Sequence, residues 1–229
     1  MKFMVIQAVH AAYAFATTGN RIRPVIRYML ASFSGIASLI PEQGRLLDVG
    51  CGDGLLAVYL KKIKGRVQSI VGVDIDERKI RIAEQLALPG VTFHHKDVAA
   101  MPANSFDIVS VVHVLYLIPA HLREQFVQHC VRVLKPGGTL VLAINMATPR
   151  WKYWVTYLQE LIMVKLLSLT KGQAIRFSSM DECKAWIHQA GARLISVKPL
   201  GKGRPYAHVG LVAKKILDVD GGASVGHAL

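Results

Sequence analysis

Leu46-Leu47-Asp48-Val49 runs straight into Gly50-Cys51-Gly52-Asp53-Gly54, and Leu55 to Leu60 open a helical pattern directly behind it. A short apolar run without polar alternation suits a strand buried on both faces, the kind found in parallel sheets covered by helices. Glycine at every second position past the strand end permits positive φ and lets a ligand lie against bare backbone. In α/β sheets, ligands bind at the carboxyl ends of the strands. The stretch therefore commits the chain to strand–turn–helix units and places a binding site at the turn.

The next unit supports this. Ser69-Ile70-Val71-Gly72-Val73-Asp74 is a second apolar strand ending in an acid, about twenty residues past the glycine turn. A carboxylate at that tip suits a two-point hydrogen bond to ribose hydroxyls. Asp76, not Asp74, stands where an N-cap belongs for the helix starting near Glu77. Strands are expected at 46–49, 69–73, 91–95, 106–112 and 139–144, with helices at 54–63, 77–87 and 120–133 between them. A helix near 180–190 and strands near 193–198 and 207–213 follow, the last two joined by the hairpin-like run Pro199 to Pro205. Such alternation calls for an α/β fold with a parallel sheet covered on both faces. The G-x-G-x-G spacing departs from the G-x-G-x-x-G of dinucleotide-binding dehydrogenases, and no G-x-x-x-x-G-K-[ST] occurs, which excludes a P-loop.

These residues resemble the class I S-adenosylmethionine-dependent methyltransferases. LLDVGCGDG is similar to their first motif and VGVDID to their second. Phe93 to Val98, with Met101-Pro102 and Ser105 to Val109, resembles their third block, and Leu134-Lys135-Pro136-Gly137-Gly138 their "LKPGG" turn. The four fall in order over roughly residues 44–145, and the branch they resemble includes the ubiquinone and menaquinone C-methylases. The resemblance implies a Rossmann-like, doubly wound, seven-stranded sheet, mostly parallel with an antiparallel last strand. It implies S-adenosylmethionine as cofactor, with S-adenosylhomocysteine as product. The Gly50-Cys51-Gly52 backbone would approach the methionine portion, and Asp48 would hold the turn or the amino group. Asp74 would take the ribose hydroxyls, Ile75 the adenine face, and Asp97 the adenine amino group with the Val98 backbone beside it. The other reading of Asp97 is a loop or cap acid.

His113 ends the apolar run Ile108 to Val112 and should project from the tip of the fourth strand toward the transferring methyl. It is either a general base, for which imidazole has a suitable pKa, or a wall residue contacting the cofactor. Tyr116 is placed to orient a substrate. His208 opens the last strand and either faces the cleft or is structural. His94 and His95 must point to opposite faces of their strand, and no carboxylate cluster is visible, so no metal is expected.

With 229 residues, 52% of them hydrophobic, the chain is long enough for one substantial core. Residues 1–217 read as a single methyltransferase domain with a helical cap over 1–43, and 218–229 as a flexible tail. A helical pattern over 21–40, basic at Arg21, Arg23 and Arg27, belongs to that cap, which Pro41 and Gly44 close. Met1 to Ala16 reads as an amphipathic segment near the cofactor mouth, in preference to a targeting peptide. Residues 148–177 carry Trp151, Tyr153, Trp154 and Tyr157 on a very apolar pattern that Lys152, Glu160 and Lys165 interrupt too often for a membrane span. Their position favours a lid-like helical insertion over an apolar substrate; a membrane-surface helix and an extra core helix are the alternatives.

Twenty-eight basic against fifteen acidic side chains leave a formal charge of +13. Such a field attracts an acidic carrier protein, an anionic membrane surface or an anionic substrate. Cys51, Cys130 and Cys183 have neither metal nor redox spacing and fit a reduced compartment, so the expected location is cytoplasmic or peripheral at a membrane. The expected acceptor is small and hydrophobic: a lipid, a quinone-like ring or a polyketide-like chain, free or carrier-bound. An RNA methyltransferase is the alternative enzyme, disfavoured because His113-Val114-Leu115-Tyr116 stands where amino-directed nucleic-acid enzymes carry N/D-P-P-[YF]. A non-catalytic cofactor-binding protein of the same fold is the alternative from outside enzymology.

Overall fold

The structure is a computed structural model and describes residues 2–66, 69–145, 177–200 and 208–217. Its centre is a seven-stranded sheet in the order β3-β2-β1-β4-β5-β7-β6. The strands are β1 (Leu46–Val49), β2 (Ile70–Asp74), β3 (Val91–His95), β4 (Phe106–Val112), β5 (Leu134–Asn145), β6 (Ala192–Pro199) and β7 (His208–Lys215). Neighbours from β3 to β5 are parallel, and β7 runs antiparallel to both β5 and β6. The expected Rossmann-like sheet is thus present, with its antiparallel last strand inserted between β5 and β6.

The chain leaves β1 toward β2 and β3 on one side and returns to β4 and β5 on the other. The seam between β1 and β4 is therefore the point of topological reversal, where a crevice opens at the carboxyl ends of the strands. There Asp48 lies level with Gly72 on β2 and Ser110 on β4. Successive side chains along a strand face opposite ways, so each strand feeds two cores. Leu46, Ile70, Ile108 and Val141 pack on one face with α1 (Lys2–Ala12), α3 (Phe33–Leu39), α4 (Leu55–Val58) and α5 (Glu77–Glu84). Leu47, Val71, Val109 and Leu140 pack on the other with α6 (Arg123–Arg132) and α7 (Met180–Gln189). Burial on both faces is why β1 and β2 read as unbroken apolar runs.

Three elements differ from the sequence expectation. The pattern over 21–40 is two helices, α2 (Thr18–Leu30) and α3, because Ala31 adopts extended backbone (φ −93°, ψ 150°) between them. The helix expected over 54–63 starts as α4 and widens to a π-helix over Tyr59–Ile63, with Lys64 N donating to Tyr59 O. The fifth strand begins at Leu134, which pairs with Phe106 ahead of a register shift, so the Lys135 to Gly138 turn lies inside the strand as an irregularity. The proposed insertion over 148–177, the Gly201 to Pro205 part of the hairpin run and the tail over 218–229 fall outside the described residues, save Phe177. No helix among the described residues is long and apolar enough to cross a membrane.

Candidate active site

The turn after β1 is held from below and from the side. Gly50 N and Cys51 N both donate to Val73 O, at 2.8 and 3.0 Å, which folds the turn against the end of β2. Gly52 N donates to Asp74 Oδ2 and Asp76 N to Asp74 Oδ1, each at 2.8 Å. One carboxylate thus fixes both the glycine turn and its own loop. Gly50 takes φ +70° under the Val114 side chain, and a Cβ there would come within 2.4 Å of Val114 Cγ2. Gly52 takes φ +59°, and a Cβ there would meet the Arg27 guanidinium at 2.9 Å. Both positions need glycine for conformation and for space.

A cavity of about 1060 Å³ runs along the carboxyl edge of the sheet over this turn. Asp74, Ile75, Asp97 and Val98 line it beyond β2 and β3, Gly50 and Gly52 beyond β1, and His113 and Tyr116 beyond β4. His208 lines it from the start of β7, and Arg27, Leu30 and Phe33 line it from the helices above. The sequence candidates therefore fall along one cleft, with two exceptions. Asp48 lies beneath the turn, 3% exposed, and accepts from Ser110 Oγ at 2.8 Å. Burial pushes its carboxyl up to about 7, against the Ser110 hydrogen bond and the nearby Arg27. Cys51 contributes backbone to the turn, while its side chain is buried against Gly72 and its thiol is raised well above the ordinary value by that burial.

Ile75 lines the cavity and is 73% exposed, so its side chain offers an open apolar surface there. Asp76 caps α5 by accepting from Arg78 N, as expected of it. Asp97 lines the cavity and also accepts from Ala99 N at 2.7 Å, capping the short turn Val98–Ala100. His95 Nε2 lies 3.1 Å from Ile75 O and steadies that loop. Among the described residues, no group of three or more His, Cys, Asp or Glu side chains could hold a metal ion.

His113 has φ +55°, the left-handed region, which a non-glycine residue occupies at a cost of about 1–3 kcal/mol. The reversal turns its ring off the strand line and against His208, ring centroids 4.6 Å apart. Both His113 ring nitrogens are buried without an aligned hydrogen bond among the described residues, although Asn145 lies close enough to favour the protonated ring. Burial, then the neighbouring His208 and Arg27, hold the imidazole well below 6.5. At neutral pH it is a neutral proton acceptor.

Asp53 is the residue that reading the sequence missed. Its carboxylate, fully buried, accepts from Arg23 Nε and Nη2 at 3.2 Å and from Arg27 Nη1 at 3.3 Å. Its carbonyl accepts from the buried Tyr13 hydroxyl at 2.9 Å. α2 and the segment following α1 are thereby fastened to the glycine turn, and Arg27 is held over Gly52. The basic residues of α2 were visible in the sequence; their partner was not.

A methyltransferase domain family matches residues 46–138, from β1 through the turn inside β5. The ubiquinone biosynthesis O-methyltransferase of Xanthomonas axonopodis pv. citri is 30% identical over 167 residues, which cover 70% of this chain and 67% of that one. The chain belongs to the class I S-adenosylmethionine-dependent methyltransferases. The enzyme of the same description from Pseudomonas fluorescens is 29% identical over 64% of this methyltransferase and 63% of its own length. That from Paracidovorax citrulli is 32% identical over 52% and 51%. The chain thus spans about two thirds or less of these relatives. Among solved structures, a methyltransferase from Methanosarcina mazei superposes with a TM-score of 0.62, at 22% identity over 80% of this chain and 97% of that one. One from Aquifex aeolicus gives 0.61, at 20% identity over 88% and 100%. Both share the fold.

The cavity fits the cofactor this family uses. A bare glycine backbone, an acid at the β2 tip and an uncovered apolar side chain beside it form a cradle that any Cβ at Gly50 or Gly52 would fill.

Proposed function

We propose that this methyltransferase methylates a hydroxyl group on a small apolar, ring-containing acceptor of quinone-like type. The observation that carries the reading is the lining of the cavity. His113 and His208, with ring centroids 4.6 Å apart, line it together with the apolar side chains of Leu30, Phe33 and Val112. A proton acceptor set in an apolar chamber suits a hydroxyl on a flat apolar ring. The relatives named above, all O-methyltransferases of ubiquinone biosynthesis, support the same class.

S-adenosylmethionine supplies a methyl group on a good leaving group, so positioning is most of what the protein must add. Asp74 has two hydrogen bonds from backbone amides and room on its remaining lone pairs for the ribose hydroxyls. Ile75 and Val98 would flank the adenine, with Asp97 beside its amino group. The turn from Gly50 to Gly52, above Asp48, would receive the methionine portion, and Arg27 would be a cation for its carboxylate. His113 receives the acceptor's proton, and Tyr116, whose ring meets Phe177 edge-on at 5.8 Å, orients the acceptor.

The +13 charge and the exposed Phe3 and Met4 of α1 support delivery of the acceptor from an anionic surface, either a membrane or an acidic carrier. The decisive experiment is methyl transfer from labelled S-adenosylmethionine to an alkyl-substituted catechol, with the dimethoxy analogue as control. Label in the catechol ether and none in the control is the expected result. Label on ring carbon, or none with either compound despite tight cofactor binding, would overturn hydroxyl methylation.

A further inference from the structure

Resting on the reading of Arg27 as the cation for the cofactor's carboxylate, we infer that Arg23, which lies outside the cavity lining, is a positioning residue that keeps Asp53 from neutralising that cation. Two guanidinium groups share one carboxylate at the glycine turn. Asp53 sits between Gly52 and Gly54, whose φ values of +59° and +83° bend the chain tightly around it. Its side chain is fully buried, while those of Arg23 and Arg27 are 15% and 30% exposed.

The two arginines stand four residues apart on α2, so both reach the turn from one face of the helix. Arg23 donates to Asp53 Oδ2 from both Nε and Nη2, at 3.2 Å. Arg27 donates to Oδ1 from Nη1 alone, at 3.3 Å. The division is unequal: Arg23 takes the larger share of the carboxylate, and Arg27 commits one of its five N–H donors to it. The Arg27 guanidinium lies over Gly52, where a Cβ would stand 2.9 Å from Nη1, and it faces the cavity.

A charge count gives the consequence. One carboxylate offsets one guanidinium, so two guanidinium groups leave one positive charge, and Arg27 is the member that presents it to the cavity. Asp74, which also lines the cavity, is turned to the amides of Gly52 and Asp76 and pairs with neither arginine. Without the Arg23 charge, Asp53 and Arg27 would form a closed neutral pair. A carboxylate entering the cavity would then compete with Asp53 for one guanidinium, and like charges in a buried site repel strongly. Arg23 thus acts on the ligand through Asp53 and Arg27, without touching it.

The test is calorimetric binding, to the full chain at neutral pH, of S-adenosylhomocysteine and of its decarboxylated counterpart, in which hydrogen replaces the carboxylate. The natural sequence should prefer the first by about tenfold or more, and Arg27→Met should abolish the preference. Arg23→Gln keeps a donor for Asp53 and removes the charge. Its preference should fall by about fivefold or more, with the decarboxylated ligand bound as well as before. Asp53→Asn, which uncovers both cations, should raise the preference, and the double variant, with one cation and no carboxylate, should restore it. An Arg23 that only fastens the cap would weaken both ligands alike, and that pattern would overturn the inference. Where Arg23→Gln does not fold, Asp53→Asn decides, a preference that fails to rise overturning it. No preference in the natural sequence would overturn the Arg27 reading and the inference together. A preference lost in Arg27→Met and kept in Arg23→Gln would leave that reading and remove the role of Arg23.

Discussion

At the scale of single residues, two carboxylates of the first motifs sit against the glycine turn in different ways. Asp74 accepts two backbone amides, and hydrogen bonds to a charged group contribute about 1.5–3 kcal/mol each. Asp74→Ala removes the expected ribose contacts and also releases the Gly52 amide from the turn. Calorimetry should show S-adenosylhomocysteine binding weakened at least tenfold, about 1.4 kcal/mol or more; unchanged affinity would refute the assignment. Asp48 is different because its effect is on stability. In the folded protein its carboxyl holds a proton up to about pH 7, against 3.8 for an ordinary aspartate, and burial is the main cause. Between those values the folded state binds more protons than the unfolded one, so stability falls as pH rises from about 4 to 7 and levels off above. Asp48→Asn keeps an acceptor for Ser110 and removes the titration. Its unfolding free energy should exceed that of the natural sequence by more at pH 8 than at pH 5, the excess approaching at most about 4 kcal/mol, read by denaturant unfolding at each pH. A gap independent of pH would mean that Asp48 is ionised throughout.

At the scale of elements, the clamp at Asp53 decides how the helical cap meets the sheet. One buried carboxylate holds two arginines of α2, and its carbonyl holds a tyrosine just past α1. Asp53→Ala leaves both guanidinium groups without their buried partner, a change that destabilises by about 3–5 kcal/mol. Hydrogen exchange should quicken across residues 2–30 while β1, β2 and β4 keep their protection. Uniform quickening over the whole sheet would show that the cap is not a separate cooperative unit. The strands themselves were legible: β1, β2 and β4 are mostly apolar runs, and the predicted limits of β1 to β4 differ from the observed ones by a residue at most. The place of Asp74 at the cleft was legible because it stands at a strand tip. Asp53 was not, because a carboxylate inside a glycine turn gives no local sign of partners on a helix packed above it. The Ala31 break was hidden for a related reason, since the apolar spacing continues through it and tertiary packing alone sets the angle between α2 and α3. The His113–His208 contact depends on the antiparallel reversal of β7, which no local periodicity encodes.

At the scale of the whole molecule, the charge balance and the placement of exposed apolar residues point the same way. An excess of thirteen positive charges produces a long-range attraction to anionic surfaces that salt screens within about 8–10 Å at 0.1–0.15 M. Attraction alone does not orient a protein, and short-range burial of apolar groups can. Phe3 and Met4 are 69% and 71% exposed on α1, and Ile22 and Met29 are exposed on α2, the helix whose Arg27 and Leu30 line the cavity. An apolar acceptor partitions into lipid, so a cavity lined in part by α2 would receive it without passage through water if α1 and α2 dock on a bilayer. Vesicles rich in phosphatidylglycerol should therefore sediment the protein at low salt, and phosphatidylcholine vesicles should not. Raising salt to 0.5 M should release most of it, leaving a remainder that Phe3→Glu with Met4→Glu abolishes. Release by salt alone, with no effect of the double substitution, would assign the attraction to charge and leave α1 out of it. Equal binding to both lipids, or to neither, would remove the surface from the account and leave an acidic carrier as the source of the acceptor.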